Sequence, residues 1–130
     1  MVTIAPTSAG GPVTDDPSWL GSAHGTDSTE TGTLDVGKFT AGTHYPNGFI
    51  PSGTKLGKVS ATGLYGPYDN AANDGRETLV GFLIAPREVL SSTQKIAAGI
   101  LTHGKVVEAN LPFTVDSAGK TDVAGRIRFI

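Results

Sequence analysis

Few residues in this chain are of a type and spacing that could do chemistry together. His24, His44 and His103 are far apart, and no two share the spacing of one helix face. A zinc site needs three or four converging ligands, so each histidine reads as a solvated or packing residue. Cysteine is absent, which removes disulfides, thiolate metal sites and cysteine nucleophiles at once. The run Gly53-Thr54-Lys55-Leu56-Gly57-Lys58 superficially looks like a phosphate loop. Such a loop needs four residues between its glycines and a Ser or Thr after the lysine to hold magnesium. Here three residues intervene and Val59 follows Lys58, so no nucleotide site is expected.

The stretch from Asp69 to Glu77 offers oxygen ligands and a glycine, as a calcium loop would. Ala71 stands where the second ligand belongs and Glu77 arrives too early for the closing bidentate position. A flexible connection with an Asp74-Gly75 turn is the simpler reading. No serine sits in a Gly-x-Ser-x-Gly elbow. The adjacent acids Asp15-Asp16 lie in a segment that offers nothing to fix their separation or raise a pKa. No catalytic residue, metal site or cofactor is therefore expected, and the chain does not read as an enzyme. Trp19-Leu20 is the pair that stands out in its polar surroundings. It is either an anchor into a partner's pocket or a flap over the chain's own core.

The elements that would position these residues are short strands. Leu34-Asp35-Val36 opens a strand, and a turn-rich stretch runs from Gly42 to Gly48. Pro51-Ser52-Gly53 reads as a turn into a strand over residues 55–61, anchored by Leu56 and Val59. Residues 64–68 form a further strand with a Gly-Pro interruption. Residues 78–84 are apolar at nearly every position, the pattern of a central strand buried on both faces. Residues 95–102 and 105–109 predict a hairpin through His103-Gly104. Its Ala97-Ala98-Gly99 stretch carries little bulk, so another backbone or subunit can approach there. Arg126 to Ile130 alternates cleanly and predicts a last strand paired into the sheet. Helix signals are poor, with at most a turn or two between Arg87 and Gln94. The fold class expected is a small, mainly β domain with little helix, preceded by an extended N-terminal arm.

The arm rests on composition. Residues 1–33 hold Asp15, Asp16, Asp27 and Glu30 with no Lys or Arg, whereas residues 34–130 hold all ten basic residues against eight acidic ones. The net charge of −2 thus conceals a split of −4 and +2. Val2, Ile4, Val13, Trp19 and Leu20 are the large apolar residues of the first segment. So little burial does not offset the entropy of ordering, which makes 1–33 an arm and 34–130 the body. Such an arm orders by adding itself to a partner's sheet edge or by wrapping over its own body. A body of about 97 residues buries roughly two-thirds of its unfolded surface, which is marginal and favours oligomerisation. The weak overall charge argues against nucleic-acid binding. No apolar run nears the length of a membrane helix, and the start lacks the pattern of a signal peptide. The absence of cysteine excludes a secreted disulfide scaffold, so an intracellular origin is expected.

Three stretches carry a family resemblance. They are Pro51 to Val59, then Leu79 to Ile84, then Ile100-Leu101-Thr102-His103-Gly104-Lys105-Val106-Val107-Glu108-Ala109-Asn110-Leu111-Pro112. With the ending Ala124-Gly125-Arg126-Ile127-Arg128-Phe129-Ile130, the chain from residue 34 onward resembles the head decoration proteins of tailed bacteriophages, the lambda-type capsid cement family. The resemblance implies a β subunit that forms a homotrimer and sits on the outer surface of the expanded head at (quasi-)three-fold positions. It implies stabilisation against internal DNA pressure, with the major capsid protein as partner and neighbouring decoration trimers within reach. Neither nucleic acid nor membrane is touched directly. The implied location is the virion surface after synthesis in the host cytoplasm. In that family the N-terminal segment orders on the capsid, pairing with its strands. The arm residues able to bury area are Val2, Ile4, Pro6, Trp19 and Leu20, and these are the expected capsid contacts. The polar loop 69–77 is longer than the resemblance leads one to expect. The alternative is a carbohydrate- or surface-binding module of a virion, with Tyr45, Tyr65 and Tyr68 as aromatic platforms.

Overall fold

The computed structural model describes residues 15–22 and 29–130. Short strands dominate it: β1 (Glu30–Asp35), then after a single helical turn α1 (Ala41–His44), β2 (Phe49–Ile50), β3 (Lys55–Lys58) and β4 (Tyr65–Pro67). These are followed by β5 (Gly81–Leu83), β6 (Arg87–Glu88), β7 (Lys95–Leu101) and β8 (Gly104–Val106), then α2 (Ser117–Asp122) and β9 (Ile127–Phe129). The mainly β class expected from the sequence is the class observed.

Five strands close into a barrel in the order β1-β4-β3-β5-β7. Closure depends on β1, which pairs antiparallel with β7 from Glu30↔Ile100 to Asp35↔Lys95 and meets β4 in parallel at Leu34↔Tyr65. Inward-facing side chains fill the interior, among them Leu34, Leu56, Leu83, Ile96 and Ile100, each at most 4% exposed. A second core lies outside the barrel wall. It gathers Trp19, Tyr68, Leu79, Phe82, Leu101, Val106, Val123 and Ile127.

The two cores explain the apolar run at residues 78–84. Alternate side chains of a strand point to opposite faces, so Leu83 enters the barrel while Phe82 enters the outer core. Both faces of β5 are buried, as its composition predicts, although the strand itself is limited to Gly81–Leu83. Gly81 permits this close packing. A Cβ there would lie 2.2 Å from the Leu101 carbonyl oxygen.

Several expectations are corrected. The hairpin of residues 95–102 with 105–109 does not form, because both edges of β7 are already taken by β1 and β5. The chain breaks at Gly104, whose φ of 133° favours glycine, and β8 pairs in parallel with β9 instead. The last strand is thus paired as expected, with Ile127 buried and Arg128 exposed, but in a separate two-stranded sheet. The helical turns expected between Arg87 and Gln94 are absent. Arg87–Glu88 is extended and pairs with Phe49–Ile50 in another small sheet. Helix occurs where no apolar periodicity announced it. The turn-rich stretch from Gly42 is partly α1, and α2 is capped by Asp116, whose side chain accepts from the Gly119 N–H at 2.8 Å. Finally, β1 begins four residues before Leu34, because Glu30 to Thr33 supply the first four rungs of the ladder to β7.

Candidate functional site

Among the arm residues expected to touch a partner, Trp19 and Leu20 are described, whereas Val2, Ile4 and Pro6 lie outside the described residues, as does His24. Their local structure begins at Asp16, whose carboxylate accepts from the Ser18 N–H at 3.1 Å and caps a 3-10 turn over Pro17–Trp19. That hydrogen bond holds the exposed Asp16 carboxyl below its ordinary value. Proline at the first turn position suits the fixed φ and costs no hydrogen bond. The turn aims Trp19 inward.

Trp19 is fully buried. Its Nε1–H donates to Ser52 Oγ at 2.8 Å, and Ser52 Oγ donates in turn to the Ile84 carbonyl at 2.8 Å. The indole packs against Phe82, with ring centroids 5.8 Å apart. Gly53 makes the space: its φ is +87°, and a Cβ would lie 2.9 Å from Trp19 Cδ1. Of the two sequence readings of this tryptophan, the structure shows the flap over its own core. The sequence signal for its pocket is the Pro51-Ser52-Gly53 turn, whose local pattern announces a turn and not a binding partner.

Beyond Trp19 the segment lies along the outer edge of β8. The Val107 N–H donates to the Trp19 carbonyl at 2.7 Å, and the Gly21 N–H donates to the Lys105 carbonyl at 2.8 Å. Leu20 and Val106 form an antiparallel bridge between these bonds. Asn110 Nδ2 donates to the Ser18 carbonyl at 3.0 Å. Past the 3-10 turn, residues 19–21 thus run as a short bridging segment along the free edge of β8. Leu20 is half-buried against the outer core.

A separate cleft of about 580 Å³ opens between α1, β3, β4 and the segment around Phe113. His44 stands in its wall, with Nδ1 accepting from the Thr40 N–H at 2.8 Å and its ring edge-on to Phe39 and Phe113. Burial, with help from Lys55 and Arg76, keeps its pKa below the usual histidine value. The cations of the cleft are largely committed. Arg76 and Lys38 lie 3.0 Å and 3.7 Å from Asp74, and Lys55 Nζ donates to the Thr114 carbonyl at 2.5 Å beside the Tyr68 ring. Tyr68 donates its hydroxyl to Asp116 at 2.7 Å. Burial and that hydrogen bond push the Tyr68 pKa well up, while the same bond, followed by the Gly119 N–H, holds Asp116 below its ordinary value. These contacts tie α2 to the barrel.

The remaining sequence candidates stay apart. His103 is exposed after β7, and the loop from Asp69 to Glu77 closes on itself through Asp74–Arg76 and Glu77–Gly75 contacts. Among the described residues no group of three or more His, Asp or Glu is placed to hold a metal ion. Among them, too, no helix is long and apolar enough to cross a membrane. Tyr65 and Tyr68 are 7% and 4% exposed and Tyr45 is half-buried against the barrel core, so they do not form an exposed aromatic platform.

Known proteins add one finding. The family model of the bacteriophage lambda head decoration protein D matches residues 17–124. No curated protein matches the chain. The match begins at the 3-10 turn that carries Trp19, takes in the barrel core and most of the outer core, and ends just after α2. This chain is a phage structural protein and belongs to the family of the bacteriophage lambda head decoration protein D.

Proposed function

We propose that the protein decorates the outer surface of the expanded phage head as a homotrimer at (quasi-)three-fold positions and stabilises it against internal DNA pressure. The family match over residues 17–124 carries this reading. The anchorage of residues 17–21 supports the mode of binding. Trp19 and the two backbone bonds to β8 fasten residues 19–21 to the body, so a shell contact made by the chain before them is transmitted to it. Val2, Ile4 and Pro6 are the proposed contacts with the major capsid protein, and Leu20 the residue at which the arm meets the body. Trp19 anchors the arm from inside.

The physical mechanism is linkage. A trimer presents three arms, and joining weak contacts raises the overall affinity by roughly 10²–10⁴ over one contact. Binding the expanded shell but not its precursor stabilises the expanded state by mass action. The test is addition of purified protein to expanded, undecorated heads and to unexpanded ones. Saturable binding to the expanded form alone, with a trimer in sedimentation, is the expected outcome. Equal binding to both forms, or a monomer at saturating binding, would refute it.

A further inference from the structure

Among the described residues, the β8/β9 sheet has one covered edge and one open edge. Residues 19–21 cover β8, whereas β9 pairs with β8 only. In that ladder the Gly104 N–H donates to the Arg126 carbonyl, and Ile130 uses both its N–H and its carbonyl toward Val106 and Glu108. Backbone groups alternate along a strand, so the Ile127 carbonyl and the Phe129 N–H and carbonyl point to the open side. None of the three has a backbone partner there among the described residues.

Charge gathers beside this edge. A groove of about 290 Å³ runs along Gly104, Lys105 and residues 125–128. Lys105 and Arg128 are register partners on neighbouring strands, and both are exposed. Like charges placed opposite each other in a sheet are destabilising. Arg126 adds a third cation, whose Nη1 donates to the Val80 and Thr102 carbonyls and not to a carboxylate. The ion pairs among the described residues involve Lys38, Arg76, Lys95 and Lys120, so these three cations have none.

We infer that the open edge of β9 takes an extended, acidic segment of a partner protein as an added strand. The ladder groups of Ile127 and Phe129 supply main-chain bonds at strand spacing, and Lys105, Arg126 and Arg128 supply the charge that such a segment complements. A nucleic-acid backbone would use the cations but leave the ladder groups unpaired, whereas an extended polypeptide uses both.

The probe is a fluorescein-labelled octapeptide of alternating Glu and Val, titrated into the full chain by anisotropy. A Lys–Val octapeptide and an eight-nucleotide single-stranded DNA run in parallel. The Glu–Val peptide should saturate and slow hydrogen exchange at the Phe129 amide, while the Lys–Val peptide does neither. Arg128→Glu with Lys105→Glu should weaken the Glu–Val peptide by roughly tenfold or more and admit the Lys–Val peptide. The milder Arg128→Gln should weaken binding by less, with Trp19 emission unchanged as the check on folding. Equal binding of the two peptides, or saturation without protection of Phe129, would overturn the inference. So would tighter binding of the DNA. Binding of the Glu–Val peptide only after removal of residues 1–14 would also overturn it, naming the chain's own segment as occupant.

Discussion

Truncating Trp19 to Ala should cost about 3–5 kcal/mol, the range for a fully buried large aromatic. Trp19→Phe keeps much of the packing but removes the indole donor to Ser52 Oγ, which retains its bond to the Ile84 carbonyl, so a loss of about 1 kcal/mol is expected from the hydrogen bond. Urea unfolding of the two variants checks both figures. Thr102 predicts a change of the opposite sign. Its Oγ1 is buried without a hydrogen-bond partner among the described residues, so Thr102→Val, equal in shape, should raise stability by about 1 kcal/mol. The chemistry of Trp19 was only half legible in the sequence. An isolated tryptophan in a polar segment announces burial, but not against what. Its acceptor Ser52 is 33 positions away, and the glycine that makes room for it reads locally as a turn residue.

Elements were legible where a strand sees two apolar faces. The run that becomes β5 could be read at once, because Phe82 and Leu83 serve different cores and neither position tolerates a polar residue. Pairing was not legible. The spacing around His103-Gly104 is that of a hairpin, and only the barrel's use of both edges of β7 forbids it. Likewise α2 buries little beyond Gly119, so it has no apolar stripe to betray it. What holds α2 is Asp116, between the Tyr68 hydroxyl and the Gly119 N–H. A carboxyl lowered in the fold lends stability above its unfolded value of 3.8, and that stability is lost as pH falls through the lower folded value. Thermal unfolding followed from about pH 5 down to about pH 2 should therefore lose less for Asp116→Asn than for the parent. Tyr68 acts with the opposite sign. Its raised pKa makes stability present below the ordinary value of 10.0 and lost as pH climbs above it, so Tyr68→Phe should flatten the alkaline limb.

At the scale of the molecule, composition pointed to an acidic first segment and a slightly basic body, and their physical join is the clamp at residues 17–21. The join decides which truncations are informative. Deleting residues 1–33 removes Trp19 from the outer core and four of the six rungs by which β1 closes the barrel. That variant should lose its cooperative thermal transition. Deleting residues 1–14 touches neither, and should leave the transition and the emission of the sole tryptophan as they are. Circular dichroism melts of the two truncations distinguish these outcomes.

The most direct measurement follows from that pair. Expanded, undecorated heads are titrated with the full chain and with the folded variant lacking residues 1–14, and bound protein is counted after sedimentation. Decoration through an arm clamped at Trp19 predicts saturable binding of the full chain and, by loss of its multivalent contacts, binding weakened by roughly 10²-fold or more for the variant. Equal affinity of the two would contradict it.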